Sequence, residues 1–496
     1  MIIYICYVKL KQGSVLTSTL AAMHVDYIQE FFKDEDLGIY YSNVKIENLI
    51  FQDDIIRFED NEDKLNKANI IFNIAQNINK MEFHPTKTKV MQINGSDNEI
   101  KLGQNSLKYV NSMKYLGDII SRDGTVDEMI KERKNSIAGI TAELVAIMSQ
   151  IKDETEFTAI SQFVRGIIVP KLLINSETWN NLSKKNIQEL EKIQAQSIKR
   201  ILKIPQSTPN TGLLIEMGML TVENEIIKRK ILYLHSILTG KNKIVKEILE
   251  QQIKIPGPTW IENTVKEMEK LEITTKLSEI ENTSKYKIKK LIKGKIWEKQ
   301  IKEMKISINN SSKCKKLQIG INKPKKYLLE LNPIDARTLL LARLRMTDLK
   351  PNYKNKYNDQ KCRLCKNEVE TLNHLTTCQK IGNDIKIEIN TNEIDNIEEQ
   401  MYEEEPIKLE IIAKIITKIN DQIKDETETS EDDDERGKEF EVVSEGLNEV
   451  GWLDGIKLPK NTLTNPKTPT LPILENSYRD SVHCLDHHTS VSQPPW

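Results

Sequence analysis

The chain has 496 residues and a nearly balanced charge, with 73 acidic and 72 basic side chains. That length allows two to four domains. Six cysteines in so long a chain do not form a disulfide framework, which favours a reducing, intracellular compartment, nuclear or cytoplasmic. The apolar start at residues 2–8 lacks the features of a signal peptide, and no apolar run approaches the roughly 18 residues of a membrane span. We therefore expect a soluble protein with no membrane partner.

The first 122 residues alternate between the two-residue period of strands and the longer period of helices. The pattern predicts strands at 2–8, 40–46 and 88–93, helices at 16–32 and 62–79, and a hairpin at 49–58. The tip of this hairpin is the adjacent pair Asp53 and Asp54. Alone, such a pair is most often an ordinary turn, because an Asp side chain bonds its own backbone. Together these elements predict an α+β fold with an antiparallel sheet.

From residue 123 the pattern is helical, and residues 251–360 form a lysine-rich helical connector. Amphipathic helices are predicted over 125–152 and 187–204. Nine lysines and two glutamates lie between 285 and 305. These lysines can form a solvated helix face, or they can follow the backbone of RNA or DNA. The apolar stripe opposite them is predicted to contain Ile288, Leu291, Ile292, Ile296 and Ile301.

Residues 361–380 contain a cysteine–histidine cluster with the spacing Cys362-x₂-Cys365-x₈-His374-x₃-Cys378. Three thiolates and one imidazole suit tetrahedral Zn²⁺. A short helix over 371–378 would place His374 and Cys378 on one face. A chance group of buried cysteines is disfavoured by this paired spacing in a chain with so few cysteines. We predict a zinc knuckle that is disordered without its metal.

After about residue 420 the composition becomes acidic and then rich in proline and threonine. We interpret 421–496 as an acidic, largely disordered tail. Cys484 and the histidines around it are assigned to this tail in preference to a second metal site.

Four short segments follow one another within the first 117 residues. A glycine-centred loop lets the backbone approach a ligand closely. Adjacent carboxylates can hold Mg²⁺, and two such ions can clamp a phosphoryl transfer. A lysine can neutralise or protonate pyrophosphate. Each segment has an ordinary structural explanation alone, whereas their order favours catalysis. The segments are Gln12-Gly13-Ser14, Asp53-Asp54, Lys87-Thr88-Lys89 and Lys114-Tyr115-Leu116-Gly117.

In this order the segments resemble the reverse transcriptase of non-LTR (LINE-type) retrotransposons, over roughly residues 1–380. Residues 8–18 resemble the family's Gln-Gly segment, 51–54 its Phe-Ala-Asp-Asp box, 84–89 its Asn-Pro-x-Lys-Thr-Lys segment and 114–124 its primer-grip turn. The likeness extends into the thumb at 168–179 and 194–205, and into the knuckle. Departures from the usual family residues are Lys9 for Gly, Val15 and Ser18 for Pro, Gln52 for Ala and His84 for Asn.

The resemblance implies a partial polymerase palm at 1–122, a helical thumb at 123–250, the connector at 251–360 and the knuckle at 361–380. It implies an RNA-directed DNA polymerase, a nucleotidyltransferase that uses an RNA template, a DNA primer or target, dNTP and two Mg²⁺. The implied roles are a Mg²⁺ ligand at Asp53 with Asp54 beside it, a pyrophosphate-side cation at Lys87, and template or substrate contacts at Gln12, Gly13, Ser14, Tyr115 and Gly117. Arg343 and Arg345 could bind phosphate bidentately.

The resemblance also implies a second metal-binding Asp, whose expected place is near the start of the chain. The family's other metal-binding Asp lies on a strand upstream of the Gln-Gly segment, and 11 residues precede Gln12. We therefore expect the chain alone to be an incomplete catalyst. The alternative is a non-catalytic remnant that binds nucleic acid through its thumb, basic tract and knuckle.

Overall fold

The computed structural model describes residues 2–7, 17–33, 35–51, 54–79, 82–84, 86–93, 99–150, 157–180, 182–320 and 322–428. These residues form a mixture of helices and small sheets, which fits the predicted α+β class. The chain divides into two compact units, each assembled from separated segments. The first unit comprises Met1–Ile137, Pro170–Glu191 and Val222–Lys295, and the second comprises Ala138–Val169, Lys192–Thr221 and Ile296–Trp496.

The strands are short and lie in the first unit. They are β1 (Ile2–Tyr7), β2 (Ile39–Tyr41), β3 (Val44–Ile46), β4 (Asn48–Phe51), β5 (Asp54–Arg57), β6 (Glu82–Phe83), β7 (Lys89–Val90), β8 (Lys101–Leu102), β9 (Asn105–Ser106), β10 (Lys108–Tyr109), β11 (Ser112–Tyr115) and β12 (Asp118–Ser121). The main sheet has the order β10-β7-β1-β5-β4, with β6 also paired to β1. Strand β1 lies at its centre and pairs antiparallel with β5, which places Ile5 opposite Asp54. The predicted acidic hairpin is therefore β4 and β5, with Phe51 opposite Asp54.

Helices make up most of the remaining described residues. In chain order they are α1 (Thr17–Glu30), α2 (Glu62–Asn79), α3 (Asp127–Gln150), α4 (Phe157–Phe163), α5 (Val169–Leu172), α6 (Lys184–Ile201), α7 (Asn210–Glu216), α8 (Val222–Thr239), α9 (Lys243–Lys254), α10 (Trp260–Lys270), α11 (Leu277–Glu281), α12 (Lys285–Asn309), α13 (Lys326–Glu330), α14 (Pro333–Arg343), α15 (Leu372–Thr377), α16 (Asn383–Thr391), α17 (Ile397–Gln400) and α18 (Pro406–Glu428). A π-helical segment, Val164–Ile168, joins α4 to α5, and Lys350–Asn352 is a 3₁₀ turn. No helix in the described part of the chain is long and apolar enough to cross a bilayer.

The core beneath the main sheet is built by α1 and α2. The rings of Phe32 and Phe72 lie 4.8 Å apart, and Phe72 meets Phe83 edge-on at 5.5 Å. Arg57 on β5 is fully buried, lies 4.5 Å from the Phe32 ring centre and donates to Glu59 at 2.6 Å. The acidic hairpin is therefore fixed to the core by apolar packing and by a buried ion pair.

The C-terminal helix α18 packs on α14 in the second unit. It continues to Glu428, so 421–428 are helical and the predicted disordered tail is wrong for these eight residues. The reason is that Ile419 and Ile423 extend the buried face of the helix past residue 420, and this burial outweighs the acidic composition. The remainder of the predicted tail, 429–496, lies outside the described residues.

Candidate metal centre

The first two ligands of the cysteine–histidine cluster lie on a tight turn. The Cys362 N–H donates to the Glu368 carbonyl at 2.7 Å, and the Lys366 N–H donates to the Cys362 carbonyl at 2.9 Å. Lys366 has a positive φ of +63°, which lets the chain reverse after Cys365. A bridge between Lys361 and Val369 closes the loop. Cys362 is thereby buried, and Cys365 lies at the edge of the turn.

The other two ligands are placed by the short helix α15. Thr371 caps this helix, because its hydroxyl accepts the His374 N–H at 3.0 Å. Leu372 and Leu375 are buried beneath it, so His374 projects from the opposite side. Cys378 is the residue after the last turn, and it is also buried. This helix occupies the region where the spacing predicted one.

The four side chains form a group that could hold a zinc ion. The ligand atoms of Cys362, Cys365, His374 and Cys378 all lie within 4.8 Å of one another. Cys365 Sγ and His374 Nε2 lie 3.3 Å apart. Tetrahedral zinc with Zn–S bonds of about 2.3 Å has ligand–ligand edges of about 3.8 Å. A Cys₃His donor set at these separations therefore fits Zn²⁺.

Hydrogen bonds and burial prepare the ligands for a metal. His374 Nδ1 lies 3.0 Å from Glu368 Oε2, which leaves Nε2 directed at the cysteines. The backbone N–H groups of Glu368 and Asn367 lower the pKa of Cys365 to about 6. Burial raises the pKa of Cys362 to about 11. Cys365 is thus the readily ionised thiol, whereas Cys362 needs the positive charge of a metal to ionise at neutral pH.

A buried ion pair ties the metal centre to the preceding chain. Glu370 is fully buried and accepts the backbone N–H groups of Lys350 and Arg363, at 3.1 and 2.7 Å. It also accepts the Arg363 guanidinium at 2.8 Å. That guanidinium reaches Asp348 at 3.1 Å, and Asp348 accepts the hydroxyl of Tyr357. Sequence reasoning missed this network, because Arg363 occupies an unspecified position between the two cysteines.

The residues of the predicted polymerase site are only partly described. Gln12, Gly13, Ser14 and Asp53 lie outside the described residues. Asp54 is the first residue of β5 and is half-buried. Tyr115 ends β11, and burial together with the negative charge of Asp54 raises its pKa to about 12. Tyr115 also packs against the cluster of Ile56, Met91 and Met113, and Ile56 lies two residues after Asp54 on β5. Lys87 lies exposed in a turn after His84.

The predicted primer-grip turn has an unusual backbone. Leu116 and Gly117 have φ values of +45° and +89°, the combination of a type I′ hairpin turn. A leucine in this region costs roughly 1–3 kcal/mol, so its surroundings must hold it there. Arg133 donates to the Gly117 carbonyl at 2.8 Å, and Asn175 donates to the Leu116 carbonyl at 3.0 Å. The turn is fixed from two sides and leaves the Leu116 side chain exposed.

Arg343 was predicted to bind phosphate, and the structure contradicts this. The Arg343 side chain is only 2% exposed. Its guanidinium donates to the Glu216 carboxylate at 3.1 Å and to the Met401 carbonyl at 2.6 Å. The guanidinium also lies between the rings of Tyr327 and Tyr402, 4.9 and 4.8 Å from their centres. The physical reason is that Glu216 is fully buried, and a buried carboxylate needs a permanent cation. Arg345 follows in a turn with φ +51° and is half-buried.

Comparison with known proteins leaves the family open. No protein-family model matches the chain, and no curated protein matches it. The resemblance to a reverse transcriptase, the magnesium site and the individual residue roles therefore remain predictions. The Cys₃His group is what the described structure supports most directly.

Proposed function

We propose that this chain belongs to a retrotransposon reverse transcriptase, an RNA-directed DNA polymerase that extends a DNA primer along an RNA template. The observation that carries the proposal is that Tyr115 packs against the cluster that contains Ile56, which lies on β5 two residues after Asp54; Tyr115 and Asp54 are predicted from separate motifs. Asp54 begins β5, which lies between β1 and β4 in the main sheet and is antiparallel to both, and such a rigid strand end suits a metal-binding carboxylate. Support also comes from the exposed, fixed turn at Leu116 and Gly117, which offers a backbone surface to a primer.

In this proposal the roles follow from the chemistry of phosphoryl transfer. Asp53 and Asp54 would hold Mg²⁺, which supplies charge stabilisation for the attacking and leaving oxygens. Lys87, exposed in its turn, supplies positive charge to the leaving pyrophosphate. Gln12, Gly13 and Ser14 contact the template or the incoming nucleotide.

A primer-extension assay tests the polymerase proposal. The purified chain is given a DNA primer on an RNA template, dNTPs and Mg²⁺. Because the chain alone is expected to be an incomplete catalyst, we expect little extension, and any extension should fall to background in Asp53→Asn and in Asp54→Asn. Asp26→Asn is the matched control, because Asp26 is an exposed acid on α1 that bonds only Gln29 among the described residues. Extension that persists in both hairpin variants would contradict the assignment of these carboxylates.

A second candidate is a protein that binds nucleic acid without catalysis. The Cys₃His group favours it, since small zinc units of this kind bind single-stranded nucleic acid. It predicts binding of single-stranded RNA without any extension.

Zinc content tests the metal centre itself: we expect one zinc per chain in the native protein and loss of it in Cys365→Ser. Cys314→Ser is the control, because Cys314 is buried away from the cluster beside Gly212. Unchanged zinc in Cys365→Ser would refute the site.

A further inference from the structure

Helix α12 buries a narrower face than its sequence predicts. In the first three turns the buried residues are Ile288, Ile292 and Ile296, which form a ridge at a spacing of four residues and are at most 1% exposed. Further along the helix Trp297, Gln300, Met304 and Ile308 are also buried. Leu291, which was predicted to join this stripe, is 43% exposed, and Ile301 is half-buried. Before Ile296 the helix buries about one residue per turn, which leaves most of its circumference there open to solvent.

Most lysines of α12 have no acidic partner in the described parts of the chain. Lys295 pairs with Glu272 at 3.1 Å, and Lys299 pairs with Glu303 at 2.9 Å. The other seven of the nine form no ion pair with a described residue, and each is exposed. These seven are Lys285, Lys287, Lys289, Lys290, Lys293, Lys302 and Lys305. Neighbouring like charges on a helix repel one another, so this surface gains free energy when an anionic partner binds.

An exposed aromatic ring lies among these lysines. Tyr286 is 76% exposed, and it shares one helix face with Lys289, Lys290 and Lys293, which follow it by three, four and seven residues. Exposed lysines are common because they keep a protein surface soluble. Solubility does not account for an exposed tyrosine ring among those lysines. An aromatic side chain within a basic surface is the arrangement on which nucleic-acid bases stack.

We propose that the basic surface at the start of α12, formed by Lys285, Lys287, Lys289, Lys290 and Lys293 with Tyr286, binds the phosphate backbone of a nucleic acid, and that Tyr286 stacks on a base. The inference rests on the nucleic-acid binding in the proposed function and names the surface that performs it. A row of phosphates is the anion that such closely spaced, exposed lysines attract.

Binding measured as a function of salt tests the proposal on the full chain. The probes are a labelled 20-base-pair RNA–DNA hybrid and a labelled 20-nucleotide RNA, followed by fluorescence anisotropy. In the triple variant Lys287→Gln, Lys290→Gln and Lys293→Gln we expect at least roughly tenfold weaker binding at 150 mM salt, with a salt slope smaller by about 2 to 3. Glutamine keeps good helix propensity, so the helix is retained. Tyr286→Ala should weaken the single-stranded probe more than the hybrid.

Two controls separate charge at this surface from charge in general. A second triple variant removes three exposed lysines that already pair with a glutamate three residues away, and it should bind like the native chain. It consists of Lys33→Gln, Lys270→Gln and Lys276→Gln. Replacement of the three tested lysines by arginine keeps the charge and should also preserve binding.

The outcomes distinguish this inference from the proposed function. Absence of binding by the native chain would overturn both. Binding by the native chain with equal affinity and salt slope in the two glutamine variants would overturn the α12 surface alone. Tighter binding of phosphatidylserine vesicles than of either probe, lost in the α12 variant, would instead assign the surface to a membrane and overturn the proposal.

Discussion

Glu216 and Glu370 are both fully buried carboxylates that face an arginine, yet their surroundings differ. Glu216 is held by side chains: Arg343 donates at 3.1 Å and the Tyr327 hydroxyl at 2.8 Å. Glu370 takes two of its bonds from backbone N–H groups, those of Lys350 and Arg363. The first arrangement fills a packed core, whereas the second fixes the path of two loops beside the metal centre.

Because of this difference, we expect the two carboxylates to affect the free energy of unfolding and the zinc affinity in different ways. A side-chain clamp such as the one at Glu216 contributes through the pairing of buried charges, so its loss should act on unfolding alone. Backbone bonds at Glu370 set the conformation of the turn that carries Cys362 and Cys365. Loss of that carboxylate should therefore act both on unfolding and on zinc affinity.

The largest effect is expected from Arg343→Met, which leaves Glu216 buried without its cation. We expect the free energy of unfolding to fall by roughly 3–5 kcal/mol, measured by urea denaturation. Zinc content should remain that of the native chain. The double variant Glu216→Leu with Arg343→Met removes both charges and should recover most of the loss. A single variant as stable as the native chain would show that the pair carries no net stabilisation.

Glu370→Gln is expected to have the next largest effect. The amide keeps one acceptor but loses the charge, so it cannot satisfy two backbone N–H groups and the Arg363 guanidinium together. We expect a loss of about 1–3 kcal/mol in unfolding free energy. Zinc affinity, measured by competition with a chromophoric chelator, should fall by roughly 10–100-fold.

The control for this variant is Glu410→Gln, which breaks an exposed pair with Lys414. It should change the unfolding free energy by no more than about 0.5 kcal/mol and leave zinc affinity unchanged. If Glu370→Gln lowers stability but not zinc affinity, the two buried carboxylates are equivalent and the comparison fails.

Sequence reasoning succeeded where the determining contacts are local. The Cys₃His group depends on residues 362–378, so spacing alone brings its ligands onto one turn and one capped helix. The bounds of α2 match the predicted 62–79, because its apolar period and its acidic first turn lie in the same segment. The role of Arg343 depends on Glu216, which lies 127 positions earlier and is invisible to any local pattern.

The tail and the basic helix α12 also show that local sequence patterns do not reveal which residues tertiary packing buries. Composition after residue 420 is acidic, but Ile419 and Ile423 continue the buried face of α18, and tertiary contacts on that face decide the end of the helix. In α12 the sequence gives enough apolar residues for a broad stripe. Only the packing of the folded chain shows that Leu291 is left outside it.

The smallest effect is expected at Glu368, whose side chain is 74% exposed although it bonds His374 Nδ1 at 3.0 Å. Glu368→Ala removes the acceptor that orients the imidazole, and zinc affinity should fall by up to about tenfold with no measurable change in unfolding. Glu368→Gln should bind zinc nearly as well as the native chain, because its amide oxygen can still accept from Nδ1. A loss in Glu368→Ala as large as that in Glu370→Gln would mean that the imidazole, and not the buried loop, limits metal binding.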